Sequence, residues 1–300
     1  MSGAGGGAGT LITLAPTGAE SAKADVPALP VTVDEVVATA RDCAALGASV
    51  VHLHVRDVDA RPTLDLPRVR EVVAAVREST DLVVQLSTGG AVTDPADARL
   101  AVLDAEPDAA SLSLGTVLFG RDVFPNPWDL VVELHTQMQQ RGIVPEYEVF
   151  DLGHLATLTR LLDRYGPPAG GHVHVDLVMG VPGGMPGTTA TLAACLPALP
   201  PGATFAATGV GRTSLPVMLA ALSAGGHLRV GMEDTLSYAP GDPVRDNAQL
   251  VARAAGLARI AQRPPLSTAA ARQLLGIPAG PRDPADDPPR PPRVPVEAAP

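Results

Sequence analysis

Residues 50–57 read VVHLHVRD, an apolar run with two histidines spaced two positions apart near its end. The run is rich in β-branched valine, and it follows a stretch of helical spacing at Val33–Leu46. It therefore predicts a β-strand over Val50–His54. Because side chains alternate between the two faces of a strand, His52 and His54 should point to the same side.

The same unit, a helical stretch followed by an apolar run of strand length, recurs along the chain. The predicted strands are Leu11–Leu14, Val50–His54, Leu82–Leu86, Ala110–Leu114, Val144–Val149, Val173–Met179, Ala203–Ala207 and Leu228–Val230. The predicted helices are Val33–Leu46, Pro67–Glu78, Pro95–Ala105, Pro127–Arg141, Leu152–Tyr165, Leu215–Ala224 and Val244–Ala261. Eight strands that alternate with helices over about 250 residues predict an α/β fold of the (β/α)8 TIM-barrel type.

A doubly wound open sheet is the alternative fold. That fold normally has a glycine-rich turn after its first strand, where this chain reads Ala-Pro-Thr-Gly at residues 15–18. We therefore expect a barrel, with one catalytic domain over residues 10–277. Residues 1–9 are predicted to form a disordered glycine-rich leader. Residues 278–300 contain nine prolines and are predicted to form an extended or disordered tail.

The composition is typical of a folded domain and argues against several functional classes. Hydrophobic residues make up 46% of the 300 residues, charged residues 18%, and the net charge is −10. An acidic chain is not expected to bind nucleic acid or a membrane surface. No apolar run reaches the roughly 20 residues needed to span a bilayer. The two cysteines form no redox or metal motif, and the start has no signal-peptide pattern, which favours a cytoplasmic location.

His52 and His54 close the second predicted strand, at the end where barrel enzymes place their catalytic groups. Two imidazoles at this spacing can chelate one metal ion such as zinc, or they can serve two separate hydrogen bonds. A second His-x-His pair, His172 and His174, instead opens the sixth predicted strand. That position lies towards the stabilising end of a barrel, so the first pair is the favoured metal site.

The segment GHLRVGMED, residues 226–234, covers the eighth predicted strand and the turn after it. In a closed barrel this strand lies beside the first strand and near the second, so Glu233 can supply a third metal ligand. Arg229 and Asp234 can pair with each other. A surface turn with solvated charges is the alternative. Combined with the two histidines, the segment predicts a site of two histidines and one carboxylate with open positions.

Two further segments carry polar residues. The third predicted strand is followed by Ser87, Thr88, Gly89 and Gly90. This run suits the close approach of an anionic ligand, or it forms an ordinary glycine turn. Glu146 and Glu148 share one face of the fifth strand, where they suit a cationic substrate group or a proton relay, or form a structural salt-bridged pair. No Gly-x-Ser-x-Gly motif is present, which argues against a hydrolase triad.

Together these segments resemble the β-keto acid cleavage enzyme family, whose founding activity is the cleavage of 3-keto-5-aminohexanoate. The resemblance covers roughly residues 10 to 265. The matching pieces are APTGAE at 15–20, HLHVRD at 52–57, STGG at 87–90, ASL at 110–112, EVFD at 148–151, GVPGG at 180–184, GVGR at 209–212 and GHLRVGMED at 226–234.

The resemblance implies a (β/α)8 barrel, a homotetramer, one zinc ion per subunit and acetyl-CoA as co-substrate. A β-keto acid and acetyl-CoA would give acetoacetate and a new acyl-CoA by condensation, CoA transfer and a reverse Claisen step. The residues that match metal ligands are His52, His54 and Glu233. Those that match the groups promoting proton removal are Arg229, Asp234 and Ser87. Expected substrate contacts are Glu20, Ser87, Thr88, Gly89, Gly90, Ser111 and Glu148.

This chain departs from the family pattern at three positions. Thr235 stands where many relatives have asparagine, and His172 and His174 are unusual for the family. Glu20 and the pair Glu146/Glu148 favour a substrate that carries an amino or quaternary ammonium group.

The sequence leaves two other functions open. One is a metal-dependent aldolase or hydrolase on the same barrel that does not use CoA, and the other is a non-catalytic barrel that binds a ligand. No phosphate-binding loop of a known type indicates where CoA would enter. Arg121, Arg212 or a neighbouring subunit could contribute that contact.

Overall fold

Twelve strands form within residues 9–278, which are the residues that the computed structural model describes. They are β1 (Ile12–Leu14), β2 (Val50–Leu53), β3 (Val83–Leu86), β4 (Ala109–Ser113), β5 (Val117–Phe119), β6 (Asp122–Phe124), β7 (Val144–Val149), β8 (His174–Met179), β9 (Thr204–Gly209), β10 (His227–Val230), β11 (Ser237–Ala239) and β12 (Asp242–Pro243). Eight of them are parallel and close into a barrel in the order β1-β10-β9-β8-β7-β4-β3-β2. The predicted TIM-barrel fold is therefore confirmed.

Helices alternate with the barrel strands and cover the outside of the barrel. They are α1 (Val33–Leu46), α2 (Leu66–Ser79), α3 (Ala96–Ala101), α4 (Trp128–Arg141), α5 (Leu152–Tyr165), α6 (Thr189–Cys195), α7 (Ser214–Ser223), α8 (Asn247–Ile260) and α9 (Thr268–Leu275). Strands β5 and β6 pair as a hairpin above the barrel, and so do β11 and β12.

Helix boundaries follow the local capping residues. Thr32 accepts a hydrogen bond from the backbone N–H of Glu35, and the Glu35 side chain accepts one from the backbone N–H of Thr32, which forms a capping box at the start of α1. Gly47 ends the same helix in a left-handed conformation, with φ 118°. Asp246 caps α8, so this helix begins at Asn247, later than predicted.

Two short helices were not predicted. One is α6, which has seven residues and precedes β9. The other is α9, which lies across the amino-terminal end of the barrel. Its Ala271 and Leu275 form an apolar cluster with the first residues of several barrel strands, including Val50 and Val83. This cluster closes one end of the barrel, so within residues 9–278 the interior is open to a ligand at the carboxyl ends of the strands.

The barrel interior changes from apolar to polar along the strands. Above the apolar cluster lies a layer of buried polar side chains, which includes Gln85, Ser111, Glu146 and His174. The register of the strands places Glu146 beside His174, and their side chains approach to 3.4 Å. Positions two residues further along each strand therefore point inward at the open end, where the candidate site lies.

Within residues 9–278, no helix is both long and apolar enough to cross a bilayer. The predicted leader and tail lie, apart from residues 9 and 278, outside the described residues.

Candidate functional site

Three side chains with metal-binding atoms converge at the open end of the barrel. His52 lies on β2, His54 directly follows β2, and Glu233 lies in the turn after β10. Because β1 pairs with both β2 and β10, these segments meet at one edge of the barrel. The Nε2 atoms of His52 and His54 lie 3.8 and 3.5 Å from the same Oε1 of Glu233. Two imidazoles and one carboxylate at this spacing match a catalytic zinc site with an open position.

A neighbouring amide orients the first of these ligands. His52 Nδ1 donates a hydrogen bond to Oε1 of Gln85, at 2.6 Å. Since Nδ1 carries the proton, the neutral ring leaves the lone pair of Nε2 free for a metal ion. His52 Nε2 and Glu233 Oε2 are both buried and have no hydrogen-bond partner among residues 9–278. Buried polar atoms are rarely left unpaired, so these two atoms fit a bound metal ion.

The protonation states also fit metal binding at neutral pH. Burial lowers the pKa of His52 to about 4 and lowers that of His54 as well, so both imidazoles are neutral. Burial opposes ionisation of Glu233, but the Arg229 guanidinium, helped by the two imidazoles in the protonated form that they take in acid, outweighs it and holds the Glu233 pKa at about 2. The site therefore presents two neutral nitrogen ligands and one carboxylate.

Arg229 connects three carboxylates, one of which is the candidate metal ligand Glu233. It lies 3.1 Å from Oε1 of Glu148 and 3.1 Å from Oδ1 of Asp234, and it also pairs with Glu233. Burial opposes the charge of Arg229, but the three carboxylates raise its pKa above the usual value. One cation is thus surrounded by three acidic groups. A divalent metal ion would offset this excess of negative charge.

Asp234 has the properties of a general base. Burial, which Arg229 only partly offsets, raises the pKa of Asp234 to about 7. A carboxylate with a pKa near neutrality combines a large deprotonated fraction with enough basicity to accept a proton. Burial likewise raises the pKa of Glu148, whose Oε2 accepts a hydrogen bond from Ser113 at 2.9 Å.

These groups face a cavity of about 270 Å³ at the carboxyl ends of the strands. The predicted site residues that line it are Glu20, His54, Ser87, Gly89, Gly90, Glu148, Arg229, Glu233 and Asp234. Three predicted residues do not line it: His52, Thr88 and Ser111. Thr88 donates a hydrogen bond to the carbonyl of Ser111 at 2.7 Å, and both side chains are buried. Substrate contacts by Thr88 and Ser111 stay predictions.

The two unusual histidines lie at the other end of the barrel. His172 Nε2 and His174 Nδ1 are each 2.7 Å from the hydroxyl of Thr204, near the amino end of β8. Within residues 9–278, they form no cluster of three or more ligand atoms like that of the His52 pair. Thr235 lies instead at the open end, where its hydroxyl is 3.2 Å from the carbonyl of Gly211. It links the turn after β10 to the loop after β9.

Sequence reasoning assigned no role to two residues that shape the site. Gln85 orients His52, as described above. The buried guanidinium of Arg56 donates hydrogen bonds to the carbonyls of Gly18, at 2.7 Å, and Ser21, at 2.9 Å. It therefore holds the loop after β1 beside the candidate metal ligands. The signal for Arg56 was its place directly after the two histidines, but its partners are distant in sequence.

Gly231 allows the turn that carries Glu233 to approach β1. A Cβ atom at Gly231 would lie 1.7 Å from the carbonyl oxygen of Ala15, which accepts a hydrogen bond from the Glu233 N–H. We expect Gly231→Ala to lower the free energy of unfolding by about 3 kcal/mol and to weaken metal binding, because the turn must shift. Chemical denaturation and metal titration measure the two effects.

Gly256→Ala is the matched control for this substitution. Gly256 lies within α8, and a Cβ atom there would meet nothing within 4 Å. Alanine should raise the free energy of unfolding by up to about 1 kcal/mol and leave metal binding unchanged. If Gly231→Ala behaves like Gly256→Ala, the close contact with Ala15 does not constrain the site.

Comparisons with known proteins identify the family of this chain. The profile of the beta-keto acid cleavage enzyme family matches residues 10–277. The 3-keto-5-aminohexanoate cleavage enzyme of Acetoanaerobium sticklandii is 37% identical over 273 residues, which are 89% of this chain and 98% of that protein. The 3-oxoadipate:acetyl-CoA acetyltransferase of Cupriavidus necator is 36% identical, over 90% of this chain and 95% of that protein.

Two other proteins extend the comparison. The 3-dehydrocarnitine:acetyl-CoA trimethylamine transferase of Rhizobium meliloti is 34% identical, over 81% of this chain and 88% of that protein. Among solved structures, apo ObcA superposes with a TM-score of 0.75 and 21% identity, over 84% of this chain and 66% of that one. At this identity, the structural likeness speaks for the fold alone. The profile match and the identities above 30% establish that this chain is an enzyme of the β-keto acid cleavage enzyme family.

Proposed function

We propose that this enzyme converts a β-keto acid and acetyl-CoA to acetoacetate and a new acyl-CoA. The observation that carries the proposal is that a candidate metal-ligand triad, His52, His54 and Glu233, lies next to the Arg229–Asp234 pair. His54, Glu233, Arg229 and Asp234 all line one cavity. The names of two relatives, an acetyltransferase and a transferase that use acetyl-CoA, support the choice of co-substrate.

We propose zinc, one ion per subunit, as the metal held by the triad. Its donor set of two imidazoles and one carboxylate is typical of catalytic zinc sites. When bound, such a metal polarises the keto group of a β-keto acid and makes the C2 hydrogens more acidic.

The residues of this chain would then move the C2 proton. Asp234, with a pKa of about 7, accepts this proton, and Arg229 orients the Asp234 carboxylate. Ser87 lies on the cavity wall, where its hydroxyl accepts a hydrogen bond from the N–H of Gly89 at 3.1 Å. The Ser87 hydroxyl proton is free to point towards the substrate. These three residues form the proposed proton-removing group.

The remaining bond changes follow from the loss of this proton. The C2 carbanion forms a bond to the thioester carbonyl of acetyl-CoA, and the CoA thiolate leaves. The thiolate adds to the original keto carbon, and the bond between that carbon and C2 breaks. Return of the proton from Asp234 to C2 gives acetoacetate. The acyl part of the original acid leaves as its CoA ester, so no other reactant is needed.

The proposal is tested by omitting one component of the reaction at a time. Purified enzyme, a panel of β-keto acids and acetyl-CoA are mixed, and acetoacetate and acyl-CoA are measured by mass spectrometry. We expect turnover to require acetyl-CoA, to stop when a chelator removes the metal, and to return when zinc is added. Turnover of the acid without acetyl-CoA would instead indicate a metal-dependent aldolase or hydrolase.

We also propose that the enzyme is a homotetramer and works in the cytoplasm. The family resemblance supports the tetramer. The two free cysteines, both buried, support a reducing compartment. Light scattering of the purified full-length protein measures the mass of the assembly directly.

A further inference from the structure

One wall of the cavity is built of apolar side chains. Among the residues that line it are Phe119, Phe124, Phe150, Val178, Val181 and Val210. Phe124, Phe150, Val178 and Val181 belong to one buried apolar cluster, against which Phe119 and Val210 pack. The ring of Phe119 contacts those of Phe124 and Phe150 edge to face, with centroids 6.3 and 6.2 Å apart. The wall is thus a packed surface, not a set of isolated side chains.

This apolar wall faces the metal ligands across the barrel mouth. The ligands lie on β2 and after β10, which both neighbour β1. The apolar residues follow or end β4, β7, β8 and β9, and β7 lies four strands from β1 in either direction around the barrel. A β-keto acid whose keto and carboxylate groups lie at the metal ligands would therefore extend the rest of its chain towards this wall.

The charged groups that line the cavity, apart from Glu20, are already engaged, and these include Glu148 on β7, the strand opposite β1. His54 and Glu233 are metal ligands, while Glu148 and Asp234 are paired with Arg229. Glu146, which the sequence suggested as a partner for a substrate ammonium, contacts His174 in the barrel and does not line the cavity.

Glu20 is the remaining carboxylate of the cavity lining. It is exposed and lies on the loop after β1, at the side of the metal ligands. A charged substrate group that reached the apolar wall would lose its hydration without gaining a partner there.

We propose that the substrate is a β-keto acid whose group beyond the keto carbon is uncharged and apolar, such as a short branched alkyl chain. This inference rests on the proposed function, since it takes the keto acid to bind at the triad. It replaces the expectation of an amino-bearing substrate, which depended on Glu20 and on Glu146 and Glu148 being free to pair with a cation.

The test compares acids that differ in one distal group. 3-Oxo-5-methylhexanoate and 3-oxo-5-aminohexanoate have nearly the same shape, with a methyl group in one where the other carries an ammonium group. 3-Oxoadipate adds a distal carboxylate. With acetyl-CoA and zinc-loaded enzyme, we expect kcat/KM for the methyl acid to exceed that for either charged acid by roughly a hundredfold. A preference for 3-oxo-5-aminohexanoate or for 3-oxoadipate would overturn the inference and leave the proposed function standing.

Binding without acetyl-CoA separates the two proposals. Calorimetry measures the affinity of zinc-loaded enzyme for the same three acids. If no acid is turned over but the methyl acid binds more tightly than the other two, the proposed function fails and the apolar pocket is supported. If the charged acids bind as tightly as the methyl acid, the inference fails whatever the turnover.

Substitutions in the apolar wall test whether the wall causes the substrate preference. Phe119→Ala should lower kcat/KM for the methyl acid roughly tenfold, because apolar contact area is lost. Val210→Asp should raise the ratio of kcat/KM for 3-oxo-5-aminohexanoate to kcat/KM for the methyl acid by at least about tenfold, because it adds a carboxylate to the wall. Val123→Ala on the neighbouring strand β6 is the control, since Val123 is exposed and does not line the cavity.

Metal content and circular dichroism confirm that each variant is folded and loaded. An unchanged preference in both folded variants, with the control also unchanged, would mean that another surface selects the substrate and would overturn the inference.

Discussion

Replacing His54 with alanine should abolish metal binding and the acetyl-CoA-dependent reaction while leaving the barrel folded. The backbone pairing of β2 ends at Leu53, so the His54 side chain contributes to the site more than to the barrel. Loss of an outer-shell partner lowers metal affinity by roughly 10- to 100-fold, and loss of a direct ligand should cost more. Elemental analysis, the activity assay and the melting temperature measure the three properties.

His172→Ala is the matched control for this experiment. It removes the same side chain from the other His-x-His pair, which lies at the amino end of β8 and contacts Thr204. We expect this variant to keep its metal and its activity. If His54→Ala retains full metal content and His172→Ala loses it, the metal site lies at the amino end of the barrel. The proposed ligand set is then refuted.

Asp234→Asn should lower kcat by roughly 10²- to 10⁴-fold with the metal retained. The amide nearly preserves the shape of the side chain, but it cannot accept the C2 proton. Exchange of the C2 hydrogens with deuterated solvent, followed by NMR without acetyl-CoA, measures proton removal separately from the later steps. The variant should exchange these hydrogens more slowly than the wild-type enzyme, by a similar factor.

Asp242→Asn controls for a general effect of removing a carboxylate. Asp242 is exposed on β12, away from the cavity lining, and its loss should leave kcat and exchange unchanged. Exchange at the wild-type rate in Asp234→Asn would show that another group removes the proton. Glu148, which also pairs with Arg229 and lines the cavity, would then be the next candidate.

Most of the barrel could be predicted from local patterns. The predicted and observed ends of the eight strands differ by two residues or fewer. They agree because each strand combines an apolar run with turn residues on either side. The elements that were missed are short. Helix α6 has seven residues, and α9 has eight and stabilises the fold by packing across the barrel end. Such helices owe their stability to tertiary contacts, so their own sequence signal is weak.

The candidate site, like the fold, was predictable only in part. Spacing alone placed His52 and His54 on one face of β2 and left two roles open for them. The supporting groups were not predictable, since Gln85 and Arg56 act through partners on other segments. The same holds for Glu146 and Glu148. They do share one strand face, but only the neighbouring strands decide that Glu146 contacts His174 and Glu148 contacts Arg229.

The sequence by itself determined the alternation of strands and helices, which residues of each strand share a face, and the types of chemical group at the strand ends. These properties depend on backbone geometry and on neighbours within a few residues. Tertiary structure alone decided which of these groups meet. Closure of the barrel brings Glu233 to His52 and His54 across about 180 residues of chain, and places the apolar wall opposite them. No local pattern encodes that distance, because it depends on the pairing of β1 with both β2 and β10.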